Sequence, residues 1–546
     1  MDMAMDMAPR AASRRPDAGR RPALPLLAAA VMLGSGAAAA QTTIVSPTFD
    51  ARLTWTDNAS ASGLGGFGGL GGGRSDRRGA DWILELSPGI SMSRDSGRLS
   101  GTLSANFRNL MYASSADDNT SYLALAGNGT FEAIEDMLFI DADASISRNN
   151  LSVFSTRGPN DELDVSSDNE TRVFSLSPRF QFRIGNDTRG SLQYRWRWAD
   201  SGASRLADQN ESQWSAQISN TQITGIFGLG LDYNRSSGDS DNASGALGGG
   251  PGSGSGLRGG KTREIARATL YAKVTPEFRL RGIVGRESND YGSRGEQSST
   301  VTGGGFDWNP TNRTAISGTV ERRIFGRGYD FSFQHRLART TLFASFRRDI
   351  QSSLDLVAGG GLLDPLFQPL FNDPLLVALY RDPLVRRDAV LLLLRRLRGD
   401  VLTNAYFVSR DFSGGVTYSL PRGVLSLTLS RSENTRLGSA EGLGPVDDFR
   451  NFNDVKSKTV TLSYSHRLTP QTSLSTSVSR SNSEGSGAAA ADSQRTSFVI
   501  GLSSSLGPKT SGSLQYRHQR SDGDSFGSGT NDFTENAVTA SVGMRF

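Results

Sequence analysis

The sequence predicts an all-β protein: a transmembrane, antiparallel outer-membrane β-barrel of roughly 22 strands, between about 18 and 24, with a short helical insertion. Three observations predict it. Apolar and polar residues alternate with period two along most of the chain. The alternating segments run about 9 to 15 residues, longer than the five or six usual in soluble sheets and near the length a tilted strand needs to cross hydrocarbon. Tight turns and long polar loops follow one another between these segments, the layout of a barrel with turns on one rim and loops on the other.

Residues 1–40 stand apart from this pattern. Arg10, Arg14, Arg15, Arg20 and Arg21 form a basic stretch, an apolar run follows from Ala23 to Leu33, and Ala38-Ala39-Ala40 offers a small-residue cleavage site before Gln41. This reads as a secretory signal peptide, leaving 41–546 as the barrel. The apolar run is too short to span a bilayer as a helix. Removing 1–40 takes away five Arg and three Asp, so a formal charge of +4 becomes +2. That near-balance argues against a nucleic-acid partner. The absence of cysteine suits passage through an oxidising compartment.

Individual strands show the alternation. Leu425, Leu427 and Leu429 alternate with Ser426, Thr428 and Ser430. Leu192, Tyr194, Trp196 and Trp198 alternate with Gln193, Arg195 and Arg197. Phe174, Leu176, Phe180 and Phe182 share one face of Val173 to Ile184, with Arg179 and Arg183 on the other. Tight turns are expected at Gly185-Asn186-Asp187, Thr275-Pro276-Glu277, Leu420-Pro421-Arg422-Gly423, Thr469-Pro470-Gln471 and Gly507-Pro508-Lys509. Long loops are expected at 59–79, 236–260, 436–453 and 481–492. Lipid leaves no room for an open sheet edge, so the chain must close, and an even strand count puts both termini in the periplasm. Val538, Ala540, Val542, Met544 and the terminal Phe546 share one face of the last strand, the form of a signal read by the barrel assembly machinery.

The polar faces supply the candidate site. Arg179 and Arg183 share one face, Arg195 and Arg197 the polar face of the next segment, and Arg279 and Arg281 alternate with Phe278 and Leu280. In a barrel these arginines face the lumen. Two readings stand: a partly cationic channel that draws anionic solutes or an acidic polymer, or arginines that pair with lumen carboxylates and brace the wall. No cofactor is expected. Gly63, Gly65 and Gly68 satisfy a dinucleotide-binding spacing, but no helix pattern follows, so the run reads as a surface loop. The three histidines, His335, His466 and His518, sit on strand patterns as interface or lumen residues, with no serine and orienting group assembled nearby. No clustered His, Cys or carboxylate pattern suggests a catalytic metal, and no enzyme is expected.

Residues 355–400 differ from the rest. Leucines crowd together, and Asp-Pro steps recur at Asp364, Asp373 and Asp382. Asp caps orphan helix N–H groups and Pro fits the first helical position, so the steps suggest short helices that restart. Proline inside one long helix costs about 3 kcal/mol. Asp388 would cap a last helix from Ala389 to Arg398, carrying Leu392, with Arg395 and Arg396 near its C-terminus. The block falls between strands near Thr341 to Arg348 and Asp411 to Leu420, on the extracellular side. It reads as a lumen plug or gate, or as a cap on the rim with its arginines near lipid phosphates.

Several stretches carry a family resemblance. Trp55-Thr56-Asp57-Asn58 follows the first strand, and Leu86-Ser87-Pro88-Gly89-Ile90 lies at the second. Then come Trp308-Asn309-Pro310-Thr311-Asn312-Arg313-Thr314, Phe325-Gly326-Arg327-Gly328-Tyr329 and His335-Arg336. In this order, across about 300 residues, they resemble outer-membrane barrels associated with the PEP-CTERM/exosortase system. The Gly-rich loops depart from it. The resemblance implies an outer-membrane location, a link to exopolysaccharide production and surface-protein sorting, and no catalytic residue. It implies a role in exporting exopolysaccharide or as a scaffold for it, that is, a channel or export accessory. Together with the strand and arginine readings above, the expected partners are outer-membrane lipid, the assembly machinery, and anionic polysaccharide or export-system proteins. The alternative is a structural or adhesive surface barrel without transport.

Overall fold

The computed structural model describes residues 43–59, 79–114, 119–148, 153–154, 170–201, 209–220, 225–240, 261–291, 296–352, 403, 405–438, 440, 443, 447–525, 529–530 and 532–546. The signal-peptide segment 1–40, the Gly-rich run 63–73 and the leucine-rich block 355–400, with Asp364, Asp373, Asp382, Asp388, Leu392, Arg395 and Arg396, lie outside the described residues.

One antiparallel sheet takes up almost everything described. Its strands are β1 (Thr43–Thr56), β2 (Asp81–Ser96), β3 (Leu99–Tyr112), β4 (Thr120–Ile134), β5 (Leu138–Arg148), β6 (Glu170–Ile184), β7 (Thr188–Ser201), β8 (Gln209–Ser219), β9 (Phe227–Ser240), β10 (Lys261–Lys273) and β11 (Phe278–Asn289). The second half holds β12 (Gln297–Thr311), β13 (Thr314–Arg323), β14 (Gly326–Arg336), β15 (Thr340–Gln351), β16 (Tyr406–Ser419), β17 (Gly423–Leu437), β18 (Phe452–Arg467), β19 (Thr472–Gly487), β20 (Ala490–Ser505), β21 (Thr510–Ser525), β22 (Gly529–Thr530) and β23 (Phe533–Arg545). Of these 23 strands, β22 is a two-residue ribbon on the end of β21; setting it aside leaves the 22 strands of the wall.

Each strand of the wall pairs with its sequence neighbours, and β23 pairs with both β21 and β1. The last pairing, from Thr48↔Arg545 to Thr56↔Ala537, closes the barrel. No edge is left to template another chain or to sit unpaired in hydrocarbon. The terminal Phe546 continues the ladder by donating its N–H to the Pro47 carbonyl at 2.9 Å, while its ring is exposed on the outer surface.

The connections alternate as a barrel requires. One rim carries the short turns 97–98, 135–137, 185–187, 274–277, 312–313, 337–339, 420–422, 468–471 and 506–509, together with the start of β1 and the end of β23. The other carries the long connections 57–80, 149–169, 241–260, 352–405 and 438–451. The Pro-bearing turns fall where the sequence places them. Thr275 shows why one works: its hydroxyl accepts from the N–H groups of Glu277 and Phe278. Gly185 supplies a left-handed residue at φ 63°, at no steric cost.

Apolar side chains line the outside. Leu53, Trp82, Leu84, Leu192, Trp214, Leu231, Leu280 and Leu427 are all exposed. In water so continuous an apolar surface would drive association; against lipid it is the matching face. Trp308 and Tyr418 are exposed beside the short turns, where an aromatic girdle meets the interface. The protein is an outer-membrane β-barrel.

Two expectations need correction or extension. Residues 481–492 are not a long loop. β19 and β20 pair through Ser483↔Ser493 to Ser486↔Ala490 and turn at 488–489. Their Ser, Gly and Ala composition carries no large apolar side chain, because this stretch stands near the rim, where only Ala489 and Ala491 join apolar packing. The one helix among the described residues is α1 (Asp448–Asn451), inside the 438–451 connection, where the Asp447 carboxylate accepts from the Phe449 N–H.

Closure gives a direct test. Thr54 and Thr539 are register partners with hydroxyls 3.0 Å apart. In this cysteine-free chain, Thr54→Cys/Thr539→Cys is expected to form an intramolecular disulfide in isolated membranes, whereas Thr54→Cys/Ser541→Cys, shifted along β23, is expected not to. Non-reducing gel mobility reads the outcome; equal oxidation of both pairs would contradict this register.

Candidate functional site

The inner surface is polar and joined strand to strand. Hydroxyls meet in pairs across the ladder: Ser345–Ser413 at 2.6 Å, Ser426–Ser463 at 2.6 Å and Ser513–Ser541 at 2.7 Å. The candidate arginines stand on this face, and most meet acids or hydroxyls on neighbouring strands. Arg179 Nε lies 3.2 Å from Asp141. Arg195 donates to the Ser177 hydroxyl at 3.2 Å. Arg197 is buried against Glu211 at 2.8 Å. Arg279 and Arg281 share Asp307, at 2.7 and 3.1 Å. Arg183 is exposed at the turn end of β6. On these strands the arginines therefore brace the wall rather than form a stripe of free positive charge.

Sequence reasoning missed the densest part of the network. Arg323, at the end of β13, grips Glu287 of β11 through two parallel bonds of 2.7 Å, the fork geometry in which guanidinium and carboxylate bind best. Arg323 also reaches Glu321 at 3.4 Å and Asp349 of β15 at 3.5 Å. Arg263 of β10 meets the same Asp349 at 3.1 Å and Glu287 at 3.4 Å. β10 and β15 are five steps apart in the sheet, roughly 24 Å along a wall whose strands lie about 4.8 Å apart. Their contact requires the wall to curl sharply. It does so above the β13–β14 hairpin, which turns at 324–325 and leaves a notch in the rim. Tyr291, just beyond β11, stacks on Tyr406 at the start of β16 with ring centroids 4.0 Å apart, and Lys261 lies 5.2 Å from the Tyr406 ring. Charge pairing below and aromatic stacking above thus tie the two sides of the notch together.

A second closure lies on the same rim. Phe154 from the 149–169 connection, Leu443 and Phe449 from 438–451, Phe407 of β16 and Phe452 and Val455 of β18 form a buried apolar cluster. Its polar fastenings hold the connections in place. Asp448 accepts from the Val153 N–H at 3.0 Å, Asp447 accepts from the Thr403 hydroxyl at 2.8 Å, and Arg436 donates to the Phe449 carbonyl. Apolar burial on the inner side of the wall is concentrated at the loop rim, where long connections meet one another. A sequence signal existed: Val446-Asp447-Asp448-Phe449 joins a capping acid to an aromatic inside an otherwise polar loop.

The histidines stand on the lipid-facing side of their strands. His335 meets the Thr314 hydroxyl at 2.8 Å, His466 the Tyr464 hydroxyl at 3.0 Å, and His518 the Asn536 amide oxygen at 2.8 Å. Among the described residues no group of His, Cys, Asp and Glu has the arrangement of a metal site.

No known family model matches the chain, and no curated protein matches it by sequence. Solved structures with a similar course include the siderophore receptor PirA from Acinetobacter baumannii, 8% identical, with TM-score 0.48, over 93% of this chain and 81% of that one. The ferric enterobactin receptor PfeA from Pseudomonas aeruginosa, a mutant in complex with enterobactin, is 10% identical with TM-score 0.48, over 92% of this chain and 81% of that one. The FrpB iron transporter from Neisseria meningitidis is 11% identical with TM-score 0.48, over 91% and 82%. Likenesses this distant carry no ligand over to this chain.

The bracing network makes a stability prediction. Glu287→Ala leaves the buried Arg323 without its main partner and is expected to lose about 3 kcal/mol. Glu287→Ala/Arg323→Leu is expected to recover part of that loss. Urea unfolding in lipid vesicles measures both; a single variant as stable as the parent would remove the network from the account of the rim.

Proposed function

We propose that this outer-membrane barrel serves exopolysaccharide production as a channel or export accessory, the role its family resemblance implies. One observation carries the reading. A closed wall of 22 strands is wide enough to enclose a lumen, its inner face is polar, and inner apolar packing gathers at the loop rim. Such a body suits a conduit closed at its outer mouth by its own connections. The leucine-rich block 355–400, read from the sequence as a gate, falls between β15 and β16 in the chain. The proposed role is not enzymatic. Folding would use the barrel assembly machinery through the β23 signal ending in Phe546, and export-system proteins would meet the periplasmic rim.

The Arg–carboxylate bracing also favours a second reading, a rigid surface barrel that holds exopolysaccharide without passing it. Single-channel recording in planar bilayers separates the two. The parent barrel is expected to conduct weakly or in brief openings, and the variant lacking 355–400 to conduct steadily. A barrel that stays shut after that deletion would end the channel reading and leave the structural one.

A further inference from the structure

The lumen wall is not chemically uniform around its circumference. From β10 to β13 the inner face is charged, and its arginines already have carboxylate partners. From β17 to β19 it is hydroxylated. On β19 every inward position from Ser473 to Ser483 is serine, because Leu474, Val478 and their neighbours take the outward set. The register extends this ladder sideways. Ser426↔Ser463↔Ser477 and Thr428↔Thr461↔Ser479 are rows of three hydroxyls across adjacent strands. No inward position of β17 from 424 to 434, of β18 from 457 to 465 or of β19 from 473 to 483 carries a charge.

We propose that this hydroxyl face of β17–β19 is the contact track for the exported polymer, and that the polymer is an uncharged glycan. The inference rests on the export reading above and narrows its substrate class. A hydroxyl both donates and accepts. A neutral sugar chain can exchange its bonds to water for bonds to this face at nearly equal free energy. The result is many weak, equivalent contacts, the condition under which a chain enters and still leaves. An acidic polymer would need uncompensated cations along its path. Instead the arginines of β10–β13 are already neutralised by Asp307, Asp349 and the buried Glu287. Five of the six arginines expected to draw anions are thus committed to the wall, Arg183 at the turn end excepted, and the β17–β19 face offers a ligand hydroxyls without fixed charge.

The test uses the full-length barrel, and the variant lacking 355–400, in planar bilayers. Maltoheptaose is the neutral probe and an oligogalacturonate of equal length the acidic one. Neutral oligomers are expected to produce transient current blocks, with acidic ones no better. Ser475→Val/Ser477→Val/Ser479→Val is expected to shorten neutral block times about fivefold or more, while heat-dependent gel mobility shows that the variant still folds. Acidic blocks about tenfold longer than neutral ones would overturn the neutral assignment while leaving the channel standing. Unchanged neutral block times in the triple variant would overturn the track. A silent barrel would instead sink the conduit reading. Equilibrium binding of both oligosaccharides to the detergent-purified barrel would then decide the neutral preference on its own, and binding of neither would overturn it.

Discussion

Everything here depends on one constraint: a backbone amide in hydrocarbon must find its partner within the protein. A sheet satisfies this only by having no edge. The pairing of β1 with β23 meets the condition, joining Thr48 to Arg545 and Thr56 to Ala537 across nearly the whole sequence. Several consequences follow. The wall has an even number of strands, β1 starts and β23 ends on one rim, and a closed ring of this size encloses a lumen. The lumen is therefore a by-product of satisfying the backbone, before any side chain has acquired a role.

Closure also sorts the side chains. Alternation sends leucine, tryptophan and valine toward lipid and serine, arginine and aspartate inward. A charge sent inward must be compensated, and its partners come from neighbouring strands. The pair Arg179–Asp141 and the shared acid Asp307 are the simple cases. The Arg263–Glu287–Arg323–Asp349 network does more, because it links strands five steps apart and curls the wall over the short β13–β14 hairpin. Beside it, the Phe407–Phe449–Phe452 cluster gathers connections from separate parts of the chain. The rim thus owes its shape to electrostatics on one side and apolar burial on the other.

Some of this was legible in the sequence, for local reasons. Turns at 185–187, 274–277, 420–422, 468–471 and 506–509 are set by Gly and Pro dihedrals, which need no tertiary partner. The 488–489 turn escaped because residues 481–492 around it lack large apolar side chains, so alternation there has nothing to contrast. The lumen arginines were visible as residues but their state was not, since Arg263 and Asp349 lie 86 positions apart in sequence. The serine run on β19 was equally visible, yet its width across β17 and β18 exists only in the register.

Period and length by themselves determined that this chain is a barrel, which way each side chain faces, and on which rim the long connections lie. These follow from a two-residue repeat and a fixed rise per residue, both local. Tertiary structure alone decided which charges neutralise which, where the wall bends, and which arc of the lumen is left without fixed charge. Those depend on register between distant strands, and register is set by closing the whole sheet at once.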